Sequence, residues 1–164
     1  MDRVLVLGRG GAGKSTLARA VGSLTGIPVH ELDEHFWQQG LHPLRPEQWR
    51  AVQLRLAAAP TWVMDGDLGP YDALDVRAAQ ADTVLLLDHG FATCAWRAAR
   101  RGRERRDFWL WVWHYRRRHL PVVLETLRVH APGATVHRLR SPRATRAFLQ
   151  ELQARGGGRP GSGR

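Results

Sequence analysis

Gly8-Arg9-Gly10-Gly11-Ala12-Gly13-Lys14-Ser15 is the stretch on which the reading of this chain turns. It matches in full the pattern of a glycine, four free positions, then glycine, lysine and a hydroxyl residue. The glycines let the backbone curl until successive N–H groups point at one spot, where phosphate oxygens are received. Upstream, residues 3–7 form a short apolar run and predict a buried strand. Downstream, Leu17, Val21 and Leu24 recur at helical spacing, so the loop is expected to open a helix whose positive dipole end faces the same anion. The motif predicts a triphosphate site made by Gly8, Gly10, Gly11, Ala12, Gly13, Lys14, Ser15 and Thr16. Lys14 would reach the β- and γ-phosphates of ATP, and the Ser15 hydroxyl would ligate Mg2+. Lys14 is also the only lysine in the chain, against 24 arginines. A compact ammonium kept at this one position agrees with a phosphate contact that a planar guanidinium replaces poorly.

Outward from this loop, apolar runs alternate with helical patterns. Strands are expected at residues 28–32, 61–64, 83–87 and 135–139, with helices at 46–59, 92–101, 108–130 and from Ser141-Pro142 to about 154. Pro121 is expected to kink or divide the third of these helices. Five strands alternating with helices imply an α/β protein whose parallel sheet is covered on both faces, a three-layer α/β/α sandwich. Ligands of such sheets gather at the carboxyl ends of the strands. Three aspartates stand at those ends: Asp33, Asp65 and Asp88. Asp88 closes the most apolar strand and has the local pattern of a magnesium-side acid; Asp65 precedes Gly66, which permits close backbone approach.

At 164 residues the chain has the length of one domain with a real core. Residues 1–154 are expected to form it, with a glycine- and arginine-rich tail at 155–164. A single cysteine, Cys94, excludes an internal disulfide and suggests a reducing, cytoplasmic setting; it reads as a small core residue. No apolar run is long enough to cross a bilayer, and the first residues do not resemble a signal peptide. The net charge of +10 is concentrated. Residues 1–90 carry 8 basic and 11 acidic side chains, residues 91–164 carry 17 and 4. A positive second half implies a polyanionic partner, either substrate phosphates or nucleic acid. The excess of arginine over lysine also fits a GC-rich coding sequence.

Further pieces, taken in order, resemble a known family. They are Leu32-Asp33 with Phe36-Trp37, Gly40 through Pro43, Pro46-Glu47-Gln48-Trp49, Trp62-Val63-Met64-Asp65-Gly66, Ala81-Asp82-Thr83, Leu87-Asp88, Arg101-Gly102-Arg103, Trp111-Val112-Trp113 and Arg138-Leu139-Arg140-Ser141. From about residue 3 to residue 150 the chain resembles the adenylate-kinase-like P-loop proteins, in particular a small bacterial group often labelled DNA topology modulation proteins. The resemblance implies a nucleoside-monophosphate-kinase-like fold with strand order 2-3-1-4-5. That order makes Asp65 the preferred acid on the magnesium side, ahead of Asp88, and places Asp33 on the acceptor side as a candidate general base. Two departures stand out. Relatives tend to have Asp-Gly-Asn-Tyr where this chain has Asp65-Gly66-Asp67-Leu68, and the segment after Arg103 is shorter than in many of them.

Arg97, Arg100, Arg101, Arg103, Arg105 and Arg106 place six guanidiniums within ten residues. Read as a lid at about 97–107, they offer Arg97 and Arg101 to the charge that develops on a transferred phosphoryl group. Read as a surface, they would contact nucleic-acid backbone. Arg116, Arg117 and Arg118 read as surface. Most of the seven tryptophans are expected in the core, with Trp37 placed at the acceptor site. The loop around Arg140 is expected to meet the nucleotide base, without a motif that separates ATP from GTP. The reading that joins these features is a magnesium- and ATP-dependent phosphotransferase acting on a small acceptor. Its rivals are a nucleotide-dependent nucleic-acid-binding or regulatory protein, and a nucleotide binder that transfers no phosphate.

Overall fold

The computed structural model describes residues 1–36, 44–67, 72–102 and 106–156. Trp37, the segment 40–43, Arg103 and Arg105 lie outside them, as do the side chains of Arg101 and Arg106. Five parallel strands form one sheet: β1 (Arg3–Gly8), β2 (Val29–Glu31), β3 (Trp62–Asp65), β4 (Thr83–Leu87) and β5 (Thr135–Leu139). Their order is β2-β3-β1-β4-β5. This is the P-loop α/β/α fold that the resemblance implied. The helices are α1 (Lys14–Thr25), α2 (Leu32–Phe36), α3 (Pro46–Ala57), α4 (Leu74–Ala78), α5 (Phe91–Arg101), α6 (Arg106–His114), α7 (Leu120–His130) and α8 (Pro142–Gly156).

Side-chain alternation along the strands feeds two cores. Leu5, Leu7, Met64 and Leu86 pack on one face with Trp49 of α3, Trp62, and Leu120, Val123 and Leu127 of α7. Val4, Val6, Val63, Leu85 and Leu87 pack on the other with Leu17 and Val21 of α1, Cys94 of α5, and Phe148 and Leu149 of α8. Strands buried on both faces must be apolar throughout, which is why β1 and β4 read as unbroken hydrophobic runs rather than alternating ones. Each fully buried leucine or valine contributes about 1.5–3 kcal/mol by removal from water.

The long helix expected over 108–130 is divided, but not by a simple kink at its proline. Tyr115–His119 forms one π-helical turn between α6 and α7. Pro121 then stands in the first turn of α7. Proline has no N–H and its ring excludes the carbonyl four residues back, so the ladder widens just ahead of it. The tryptophans depart further from expectation. Trp49 and Trp62 are buried, whereas Trp96 and Trp113 are about two-thirds exposed. Trp96 is covered by the Arg100 guanidinium, 4.9 Å from its centroid, and Trp113 meets Phe91 edge to face at 4.9 Å. These contacts give the rings partners at the surface that helical periodicity does not reveal.

Candidate functional site

The carboxyl end of β1 runs straight into the glycine loop. Gly11 has φ +76°, and a Cβ there would sit 2.3 Å from the Cys94 carbonyl oxygen, so the loop packs against α5 too closely for any side chain. Gly13, at φ +97°, then turns the chain into α1, whose first residue is Lys14. The helix N-terminus therefore opens directly onto the loop, with its free N–H groups exposed to a bound anion. Lys14 Nζ donates to the Arg9 carbonyl oxygen across the loop at 3.5 Å.

Sheet register decides which acids reach this point. Val6 stands opposite Asp65, and Asp65 opposite Glu31, while Gly8 stands opposite Leu87. Asp65 is thus the last residue of the strand beside β1, buried to 5% exposure, with Oδ1 enclosed and without a hydrogen-bond partner. Burial pushes its carboxyl above the ordinary range, against the pull of the Lys14 charge and a hydrogen bond with Ser15; the charges of Asp33 and Glu31 push it further up. Lys14, Ser15, Asp65 and Asp33 therefore share one electrostatic neighbourhood. Asp33 stands in the first turn of α2 and is exposed. An enclosed carboxylate oxygen without a donor, beside a hydroxyl and an ammonium, is a donor set suited to a hard divalent cation or its water.

Asp88 is placed differently. Its carboxylate, 1% exposed, accepts hydrogen bonds from Nε and Nη2 of Arg116 and from Nε and Nη2 of Arg138, at 2.8–3.2 Å. Burial alone would raise its pKa, but the two guanidiniums outweigh it and hold the carboxyl below the usual range. Both oxygens are taken up by these cations, so Asp88 serves as an anchor for the π-helical turn and β5. Arg116 is therefore more than a surface residue, although half exposed.

Arg97 faces the loop from α5, donating to the Ala12 carbonyl at 3.1 Å. Its Nη1 lies 3.4 Å from where a Gly13 Cβ would stand. A cavity of about 370 Å³ opens beside it, lined by Gly11, Gly13, Thr16, His89, Arg97 and Thr145, among others. Its far wall is the start of α8, from Pro142 to Leu149. Arg140, expected to meet the base, is exposed just before this wall and does not line the cavity; Arg146 does. His89 Nε2 lies 3.1 Å from Thr145 Oγ1 and bridges the β4 end to α8. Burial, then the Arg97 charge, holds this imidazole below its ordinary pKa. Cys94 is buried, its thiol raised by burial. Its place in the core leaves it no role as an exposed nucleophile.

Sequence reasoning missed Arg9, Tyr115 and Asp67. Tyr115 Oη donates to Asp67 Oδ2 at 2.6 Å, and the Arg9 guanidinium lies 5.6 Å from the Tyr115 ring centroid. Residues 9, 67 and 115 carry no local pattern that joins them. The one available sign was the aspartate at 67 where relatives tend to have asparagine.

The fold and this loop together define an α/β protein of the P-loop fold. A sugar kinase from Janibacter sp. is similar to it at 25% identity, with 93% of this chain and 90% of that chain aligned and a TM-score of 0.52. A shikimate kinase from Acinetobacter baumannii, in complex with shikimate, shares the fold at TM-score 0.65 and 16% identity over 93% of this chain and 90% of that one. A gluconokinase from Sinorhizobium meliloti 1021 shares it at 0.57 and 16%, over 95% and 91%. None of these three carries the DNA-topology label that the motif resemblance suggested. No protein-family model and no curated protein sequence matches the chain. Among the described residues no helix is long and apolar enough to cross a membrane.

Proposed function

We propose that the chain is a magnesium-dependent phosphotransferase that moves the γ-phosphoryl group of ATP to a hydroxyl of a small acceptor. The observation that carries this reading is the meeting of Lys14, Ser15 and Asp65, whose Oδ1 is enclosed without a partner, at the mouth of α1. The sugar, gluconate and shikimate kinases of the same fold support it. Gly8 and residues 10–16 would cradle the phosphates, and the cavity between the loop and α8 would take the nucleoside. Ser15 and Asp65 would hold Mg2+, directly or through its waters. When bound, the metal supplies charge neutralisation on the β- and γ-phosphates.

The residues then act by position and charge. Lys14 would leave the Arg9 carbonyl for the phosphates. Arg97, already turned to the loop, would face the triphosphate, with Arg101 from the last turn of α5 as a second cation. Asp33, on the β2 side, would accept the proton of the acceptor hydroxyl. The charge of Asp88 is already balanced by Arg116 and Arg138, so the metal set proposed is Ser15 and Asp65.

The test is ADP formation from Mg–ATP with a panel of nucleoside monophosphates, nucleosides, sugars and hydroxy acids, with Lys14→Ala as the blank. Turnover that depends on one acceptor and vanishes in the blank supports the proposal. Nucleotide binding without turnover on any acceptor would transfer support to a binder or switch. Exposed Trp96, stacked by Arg100, and exposed Trp113 favour nucleic acid as the second reading.

A further inference from the structure

Arg9 occupies the first free position of the phosphate loop, yet its side chain turns away from solvent, 2% exposed. Its Nε is enclosed without a hydrogen-bond partner. Among the described residues no carboxylate forms an ion pair with it. The other buried arginine, Arg77, also has Nε and Nη1 enclosed without a partner, but it holds the Asp72 carboxylate and the Gly66 carbonyl, whereas Arg9 holds no acid. A buried cation without an acid is costly, and the face of Tyr115 offsets only part of that cost. The two terminal nitrogens of Arg9 make no hydrogen bond to a described residue, and they are the atoms of the fork that bind oxyanions.

Position indicates which oxyanion. Tyr115 meets Arg9 with its face and Asp67 with its hydroxyl. Asp67 lies two residues beyond Asp65, past the end of β3. Through Tyr115, Arg9 is therefore joined to the loop after β3, while its charge also reaches the Cys94 thiol of α5. Arg97 and the cavity lined by His89 and α8 lie on the β4 side. Lys14 and Arg97 both donate to carbonyls of the loop, whereas the Arg9 guanidinium turns to Tyr115.

We propose that Arg9 is a specificity-determining residue that binds a carboxylate or phosphate of the acceptor, so that the phosphorylated hydroxyl belongs to an anionic small molecule. This rests on the phosphotransferase reading above. The test separates the two by calorimetry on the full chain. Binding of Mg–AMPPNP, a non-hydrolysable ATP analogue, is measured first. The loaded protein is then titrated with inorganic phosphate, with acetate, and with glycerol as the neutral control.

Phosphate, acetate or both should bind the loaded wild type while glycerol does not, and the tighter of the two names the group. Arg9→Met, which keeps a stem over Tyr115, should weaken that binding by about tenfold or more while changing AMPPNP affinity by less than about threefold. Arg9→Lys keeps the charge without the fork and should fall between. It is the variant to use if Arg9→Met does not fold, and an unchanged affinity in Arg9→Lys then counts against the forked contact. Equal oxyanion binding in wild type and variant, or loss of AMPPNP in place of the oxyanion, overturns the proposal. Failure of AMPPNP to bind the wild type sinks the phosphotransferase reading and this one with it. Nucleotide binding without an Arg9-dependent oxyanion sinks this one alone.

Discussion

The Tyr115 hydroxyl donates to Asp67 Oδ2 at 2.6 Å, joining the π-helical turn after α6 to the loop that follows Asp65. The next residue, Arg116, reaches Asp88 at the end of β4. β3 and β4 are the two neighbours of β1 in the sheet. One turn of helix therefore spans both strands that flank the phosphate loop, and Arg9 lies against it. Burial and the Asp67 charge both oppose ionisation of this phenol, so it remains a donor at any working pH.

Tyr115→Phe deletes that donor and leaves the ring under Arg9. We expect a loss of about 1.5–3 kcal/mol in urea unfolding, the size of a hydrogen bond to a charged acceptor. KM for the acceptor should rise more than KM for ATP, because Asp67 lies on the β3 side. Equal changes in both would assign Tyr115 to global stability alone.

Asp65 has a definite pH signature. Its folded pKa is raised, so the native state binds more protons than the unfolded one, and stability falls as pH rises from the ordinary value of 3.8 through the higher folded value. Asp65→Asn removes this penalty and should make the nucleotide-free protein more stable at pH 7, with the difference closing below pH 3.8. The same variant should lose the Mg2+-dependent part of nucleotide binding. Thermal melts across pH, with and without Mg–ATP, read both.

Asp88 should behave in the opposite sense. Its folded pKa is depressed, so its contribution is present above the ordinary value of 3.8 and is lost as pH falls through the folded value. Arg138→Met should cost about 1 kcal/mol at neutral pH, modest because its guanidinium is partly exposed and Arg116 still pairs with Asp88. It should also flatten the acid limb of the stability profile. Mg2+ dependence of nucleotide binding should be unchanged in Asp88→Asn; a loss as large as in Asp65→Asn would return Asp88 to the metal set.

Gly11→Ala forces a Cβ onto the Cys94 carbonyl in a left-handed backbone. A destabilisation of about 1–3 kcal/mol is expected from strain and overpacking together. Nucleotide affinity should fall with it, because α5 and the phosphate loop share that contact. Calorimetric binding beside a denaturation curve separates the two effects.

The nucleic-acid reading has its own readout. If α5 and α6 bind a single strand, Trp96→Ala and Trp113→Ala should each weaken binding by about 1–3 kcal/mol. Affinity should also fall log-linearly with salt. A flat salt response in an oligonucleotide titration would remove that reading.

The phosphate loop, the parallel sheet and the strands of residues 83–87 and 135–139 were legible without coordinates, because each rests on local chemistry. Glycine spacing encodes a backbone curl, and an unbroken apolar run encodes a strand covered on both faces. The division of the 108–130 helix was half legible: Pro121 marks the place, but not that the break is a π-helical turn. Sequence alone left Asp65 and Asp88 open, since both are aspartates at strand ends, and family resemblance favoured Asp65. The tertiary structure sets the two apart, since Asp65 shares a hydrogen bond with Ser15 while β5 delivers Arg138 to Asp88, and the proposed metal set rests on that difference. Asp67 stood out as a departure from the family pattern, but its meeting with Arg9 and Tyr115 was beyond local reading. The three are separated by 48 to 106 positions, and only the closure of the sheet brings an unpaired cation, an aromatic face and an acid together. Local pattern reports what a segment wants from its own neighbours; the partner of a buried charge is set by where distant strands end.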